Sequence, residues 1–186
     1  MNLPRQMFPM PNTLAQLEDS AGTLAAKIVE QMTARGLRLA LAESLTGGAL
    51  ASAVVGVPGA SKVLLGSVIA YDTALKSSLL GVDAELLARV GAVDEQVASQ
   101  MAAGARARLA LAAGVSPEIT IGLSCTGVAG PDLQDGKPVG TVFIAVDAPS
   151  GTQVVQRNLV GDRAQIRSGV VVAALELLAQ MLRPGA

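Results

Sequence analysis

The chain has 186 residues, with 14 Lys and Arg set against 15 Asp and Glu for a formal charge of −1. That length suits one ordinary domain, large enough to bury a core without disulfides or metals, and the near balance of charge leaves no basic half to grip a nucleic-acid backbone. Only 2% of the residues are aromatic, so the core has to be packed from Ala, Val, Leu and Ile, which suits helices lying close on a sheet.

Residues 1–13 include Pro4, Pro9, Pro11 and the basic Arg5. They lack the continuous apolar stretch of a secretory signal and read as a loose leader ahead of a single domain over 14–183. Leu14, Leu17, Leu24, Ala25, Ile28 and Met32 recur near helical spacing and Gly36 supplies a stop, which predicts a helix from Leu14 to Arg35. Leu37 to Ala42 reads as a strand delivering Glu43-Ser44 to a sheet edge, and a helix from about Gly47 to Val55 follows. After the break at Gly56-Val57-Pro58-Gly59, Val63 to Tyr71 reads as a largely buried strand. Three helical segments come next, Thr73 to Leu80, Asp83 to Val90 and Asp94 to Ala113, with Asp83 and Asp94 as caps. A strand from Glu118 to Ser124 leads into a glycine and proline loop, Cys125 to Val139. A hairpin of Gly140 to Ala148 with Thr152 to Val160, turned at Pro149-Ser150-Gly151, precedes a last helix from Asp162 to Leu182. This order predicts an α/β fold, a three-layer α/β/α sandwich on a mixed sheet, with ligands met where strand ends face helix starts. No stretch reaches the roughly 18 to 20 apolar residues that cross a bilayer, so no membrane partner is expected.

The chain contains no histidine. This excludes a Ser-His-Asp triad, histidine metal sites and imidazole acid–base catalysis together, and leaves proton transfer to Lys, Tyr, Asp or Glu. The one cysteine, Cys125, can form neither an internal disulfide nor a cysteine-only zinc site, and fits a reducing, cytoplasmic setting.

Four segments could carry chemistry. In Glu43-Ser44-Leu45-Thr46-Gly47-Gly48 a strand passes into a helix through small and hydroxylated residues. Its N–H groups could face an anion or a developing oxyanion, or Ser44 or Thr46 could be a plain helix cap. In Tyr71-Asp72-Thr73-Ala74-Leu75-Lys76 the lysine falls near a helix start, where the dipole disfavours it. It is either a solvated surface lysine or a functional amine able to activate Ser44. The run Ser124-Cys125-Thr126-Gly127-Val128-Ala129-Gly130-Pro131-Asp132, followed by Gly136 to Thr141, could cradle a phosphate in its backbone or be a plain wide loop, and the Walker pattern is absent. Arg163 and Arg167 sit one turn apart at the start of the last helix, either to hold a phosphate or as solvated charges.

Taken together and in this order, these segments resemble the CinA C-terminal domain family, from about Leu14 to Leu182. The matching patterns are Glu-Ser-x-Thr-Gly-Gly at Glu43 to Gly48, Tyr-x4-Lys at Tyr71 to Lys76 and Thr-Gly-x-Ala-Gly-Pro at Thr126 to Pro131. Lys-Pro-Val-Gly-Thr at Lys137 to Thr141 and Gly-Asp-Arg at Gly161 to Arg163 complete the set. The resemblance is to the stand-alone form, which includes nicotinamide mononucleotide amidases. It implies hydrolysis of the carboxamide of nicotinamide mononucleotide to nicotinic acid mononucleotide and ammonia, a step in pyridine nucleotide recycling, without metal or organic cofactor. It further implies Ser44 as nucleophile, Lys76 as base and then acid, and Tyr71 as an assisting or orienting group. Amides near Thr46 and Gly47, beside Gly48, would meet the oxyanion, and the phosphate would lie on the loop of Thr126, Gly127, Ala129 and Gly130 and on Arg163 or Arg167, with Arg163 preferred. The chain departs from the family pattern at Leu45, where a cysteine is common, and at Asp72-Thr73, where Ser-Asn is usual. The first reads as a packing change; the second sets an acid beside the pocket that could alter substrate preference or keep Lys76 protonated, which would oppose its role as a base. Alternative readings are a non-catalytic nucleotide-binding or regulatory domain and an amidase for another small amide. The wealth of apolar helix surface also suggests a homo-oligomer.

Overall fold

The computed structural model describes residues 13–183, so the expected leader lies outside the described residues except for Thr13. Six helices and five strands follow the order β-strand to helix that the sequence implies, as α1 (Leu14–Ala34), β1 (Arg38–Glu43), α2 (Ala49–Val55), β2 (Leu64–Ile69), α3 (Thr73–Leu80), α4 (Ala84–Val90), α5 (Glu95–Ala113), β3 (Thr120–Gly127), β4 (Thr141–Ala148), β5 (Gly151–Asn158) and α6 (Arg163–Met181). The strands form one mixed sheet in the order β2-β1-β3-β4-β5. β2, β1 and β3 run parallel, while β3-β4 and β4-β5 are antiparallel. No described helix is long and apolar enough to cross a membrane.

Alternation along the strands builds the three layers, because successive side chains leave opposite faces of a sheet. Leu39 and Leu41 of β1, Ile121, Leu123 and Cys125 of β3, and Val142, Ile144 and Val146 of β4 enter one core with α1, α2 and α6. The residues between them are small. Ala40 and Ala42 face α3, α4 and α5, and Ala145 packs on Ala98 and Ala102 of α5. Small residues let α5 lie so close that any Cβ on Gly122 would collide with the Ala102 carbonyl. Ser124 and Thr126, on the same face, donate their hydroxyls to the carbonyls of Ala98 (2.6 Å) and Ala92 (2.7 Å).

Aspartates start four of the helices. Asp72, Asp83, Asp94 and Asp162 each accept a hydrogen bond from a backbone N–H in the first turn of α3, α4, α5 and α6, as free N–H groups at a helix start require. The cap on α1 is Thr13, in a capping box with Gln16.

Of the boundaries that differ from the sequence reading, three bear on the site. β3 runs on through Gly127, so Cys125, Thr126 and Gly127 belong to the sheet and not to the loop. The Val63 to Tyr71 segment contributes a shorter strand at the sheet edge, half-buried and not largely buried, and Tyr71 lies beyond it in solvent at 61% exposure. α2 starts at Ala49 because Gly48 takes a left-handed φ of 98°, a region that favours glycine. From β1 the chain goes to β2 on one side and then returns as β3 on the other. The carboxyl ends of these strands therefore open a crevice of the kind in which α/β sheets bind ligands.

Candidate active site

Ser44 follows β1 directly, and its N–H donates to the Cys125 carbonyl at 3.1 Å. Lys76 comes from the first turn of α3, whose path is set by the Asp72 cap. Its stem passes inward, and Nζ donates to Ser44 Oγ at 3.1 Å and to the Ala70 carbonyl at 2.7 Å. The lysine is 0% exposed while Ser44 keeps 8%, so the hydroxyl faces the crevice and the amine lies behind it. Among the described residues Lys76 forms no ion pair. Burial lowers its pKa below the ordinary 10.5, and the carboxylates of Asp72 and Asp135, which pull the other way, do not cancel that effect. The acid at position 72 thus serves as a helix cap, and desolvation dominates the amine.

Glu43 gives the Ser44 turn its shape. Its carboxylate is fully buried and accepts five hydrogen bonds, from Thr46 Oγ1 (2.8 Å), Gly48 N (2.9 Å), Leu50 N (3.1 Å), Ala51 N (3.0 Å) and Ser67 Oγ (2.9 Å). The N–H groups of Gly48, Leu50 and Ala51 at the start of α2 therefore face a carboxylate of the chain itself. Gly48 N–H is used in this way, and Gly47 N–H donates to the Ser44 carbonyl at 3.1 Å. Thr46 is also placed away from the crevice, fully buried between Glu43 and the Cys125 thiol, 3.2 Å from the latter. Burial pushes the Cys125 thiol up to about 12, which leaves it no thiolate character at neutral pH. Leu45 packs into the core beside α1, α2 and α6, consistent with a packing change at that position.

The crevice beyond Ser44 is a cavity of about 270 Å³, walled by Tyr71, Gly127 to Gln134 and Arg163. Arg163 spans its mouth, donating to the Gly130 carbonyl through Nη1 and to Tyr71 Oη through Nη2 at 3.2 Å. Tyr71 is therefore a wall against Arg163, with no hydrogen bond to Ser44 or Lys76 among the described residues. Arg167 is turned elsewhere: Nε donates to the Leu45 carbonyl (2.9 Å) and Nη2 to the Thr46 carbonyl (2.8 Å), which ties the Ser44 turn to α6. Thr126 is placed in the core by its bond to Ala92. A Cβ on Gly127 would strike Val142 and the Thr141 carbonyl, so that glycine answers to sheet packing. Val128 N–H donates to the Thr141 carbonyl at 2.9 Å. Ala129 and Gly130 remain at the cavity wall.

Of the residues singled out from sequence, the fold thus brings together Ser44 with Lys76, and Tyr71, Gly127, Ala129 and Gly130 with Arg163. Thr46, Gly47, Gly48, Thr126 and Arg167 are committed to the framework around them. Sequence reasoning missed Glu43 as the organiser of the turn, although an acid ending an apolar strand before a capless helix was the available signal. It took Asp132 only as the end of the glycine-rich run, and it missed Gln134 on the cavity wall, which carried no signal. Among the described residues no three His, Cys, Asp or Glu side chains converge as a metal site would require.

The family model for the CinA C-terminal domain matches residues 21–182. A CinA-like protein of Frankia casuarinae is 45% identical over 160 residues, and one of an Anaeromyxobacter species is 50% identical over 161 residues, each covering 86% of this chain. The chain spans only 35% and 37% of the length of these two curated relatives. Among solved structures, the competence/damage inducible protein CihA from Agrobacterium tumefaciens superposes with a TM-score of 0.80 at 32% identity, over 96% of this chain and 99% of that one. A CinA superfamily protein from Escherichia coli superposes with a TM-score of 0.80 at 29% identity, over 95% of each chain. With a family model that spans nearly all the described residues and solved structures that share its whole architecture, the chain belongs to the CinA C-terminal domain family.

Proposed function

We propose that this domain is an amidase that hydrolyses the carboxamide of nicotinamide mononucleotide, giving nicotinic acid mononucleotide and ammonia. The observation that carries the reading is the buried, ion-pair-free amine of Lys76 at 3.1 Å from Ser44 Oγ, on the floor of an open cavity. Desolvation lowers the pKa of Lys76 and so favours the neutral amine that a base requires, and with no histidine in the chain it is the group within reach. In its neutral form Nζ accepts the Ser44 proton as Oγ attacks the amide carbon. The tetrahedral intermediate then collapses with transfer of that proton to the leaving nitrogen, so that ammonia departs and a nicotinoyl ester remains on Ser44. Water, deprotonated by the same amine, cleaves the ester and restores the serine. Gly47 N–H is bonded to Ser44 O and Thr46 is fully buried away from the crevice, so this reading gives the oxyanion to neither of the two amides expected there. No metal or organic cofactor enters these steps.

The cavity of about 270 Å³ lies just below the roughly 300 to 1,000 Å³ of ligand pockets, so it suits a small ligand. Among the lining residues Arg163 carries the positive charge, and on this reading it exchanges its neutral acceptors for the phosphate. Asp132 on the same wall favours a second reading, an amide without a phosphate. Ammonia release from nicotinamide mononucleotide, run beside a panel of phosphate-free amides, tests both. The proposal requires release by the wild type and a loss of at least about 10³-fold in Ser44→Ala and Lys76→Ala. Full turnover by Ser44→Ala, or no release by the wild type, would sink it.

A further inference from the structure

α3, α4, α5 and α6 are each capped by an aspartate at the helix boundary itself. α2 has no such cap: Gly48 stands there, and the carboxylate that serves the helix reaches in from Glu43, on the far side of the Ser44 turn. A local cap would satisfy the N–H groups equally well. What the long reach adds is closure of the segment from Glu43 to Ala51 around a single buried group, with Ser44 inside the closed loop. Glu43 also touches the lysine side of the centre. Ser67 of β2 donates to its Oε1 at 2.9 Å, and its own carbonyl accepts from Ala70 N–H at 2.9 Å. The carbonyl of that same Ala70 holds Lys76 Nζ.

We propose that Glu43 is a positioning residue of the reaction: its side chain fixes the Ser44 turn, its main chain fixes Ala70, and the two together set Ser44 Oγ on Lys76 Nζ. All five partners of the carboxylate are donors, so an amide in its place turns an N–H₂ group against them. The inference rests on the reading of Ser44 and Lys76 as the reacting pair.

Glu43→Gln is the test, read in two ways. One is turnover of nicotinamide mononucleotide, with kcat, KM and the pH profile taken separately. The other is the rate at which a fluorophosphonate labels Ser44, in which the Oγ–P bond forms, P–F breaks and the serine proton passes to Lys76. Labelling needs no amide substrate, so if the wild type labels but releases no ammonia the substrate reading fails while the role of Glu43 is still under test. The expected result is a folded variant in which kcat and labelling both fall by about 100-fold, as a misplacement of about 1 Å produces. KM and the acid-limb midpoint should stay where they are. Labelling at the wild-type rate, a change confined to KM, or a moved acid limb, which would make Glu43 itself the titrating base, overturns the proposal. If Glu43→Gln does not fold, Ser67→Ala decides, since it removes one half-buried donor: labelling slowed by about fivefold supports the proposal and wild-type labelling overturns it.

Discussion

Replacing Lys76 with methionine keeps the volume of a fully buried side chain and removes one titrating group. The consequence for stability follows from proton counting. The folded-state pKa of Lys76 is lowered by burial while the unfolded chain keeps the ordinary 10.5. Between those two values the unfolded chain holds a proton that the folded one does not, so stability rises with pH across that window. The stabilising contribution is fully present above pH 10.5 and is lost as pH falls through the lowered value. One proton corresponds to a slope of about 1.4 kcal/mol per pH unit. Urea denaturation of wild type and Lys76→Met at a series of pH values, plotted as a difference, cancels the groups that titrate alike in both proteins. The wild type should gain on the variant as pH rises, with up to that slope, and the pH at which the difference begins to climb should coincide with the acid-limb midpoint of kcat/KM. Below that pH the curves run parallel. A flat difference from about pH 6 to 10 would mean an ordinary lysine, and would refute both the desolvation argument and the base assigned from it.

Arg163→Ala should raise KM for nicotinamide mononucleotide by about 10- to 100-fold, the worth of a charge-assisted hydrogen bond to phosphate. Turnover of a phosphate-free amide should be unchanged, and equal losses on both substrates would remove Arg163 from the phosphate site. Arg167→Met withdraws the two bonds to the Leu45 and Thr46 carbonyls; it should cost about 2 kcal/mol in urea unfolding and lower kcat, whereas a change confined to KM would return it to the substrate. Thr126→Val deletes the bond to Ala92 and should cost about 1 to 2 kcal/mol of stability with KM unmoved. A KM effect without loss of stability would restore Thr126 to the ligand.

The elements were legible because each is written in a period the backbone enforces. Leu17, Ala25, Ile28 and Met32 mark the buried face of α1, and aspartates at 83, 94 and 162 mark helix starts. The edge position of β2 was not legible, since its Val-, Leu- and Ile-rich composition suits a central strand as well as a half-buried one. The end of β3 is illegible for a related reason: Thr126 and Gly127 have the composition of a loop but face the Ala92 carbonyl ahead of α5 and the backbone of β4, where little else fits.

The site shows the same ambiguity in sharper form. A strand that ends in small, hydroxylated and glycine residues before a helix presents free N–H groups, and these attract negative charge whatever its source. The pattern at Glu43 to Gly48 is therefore the same whether the anion comes from a ligand or from the chain. Position decides between them, and here the first residue of the motif folds back and occupies the place itself. On the proposed reading that leaves Arg163, the basic side chain on the cavity wall, to receive a substrate phosphate. On the same reading the centre has two parts that meet at Ser44: a closed turn that would hold the nucleophile, and an open wall that would receive the nucleotide. Substitutions in the first should act on kcat and those in the second on KM, a division that the Arg163 and Glu43 variants test from opposite sides.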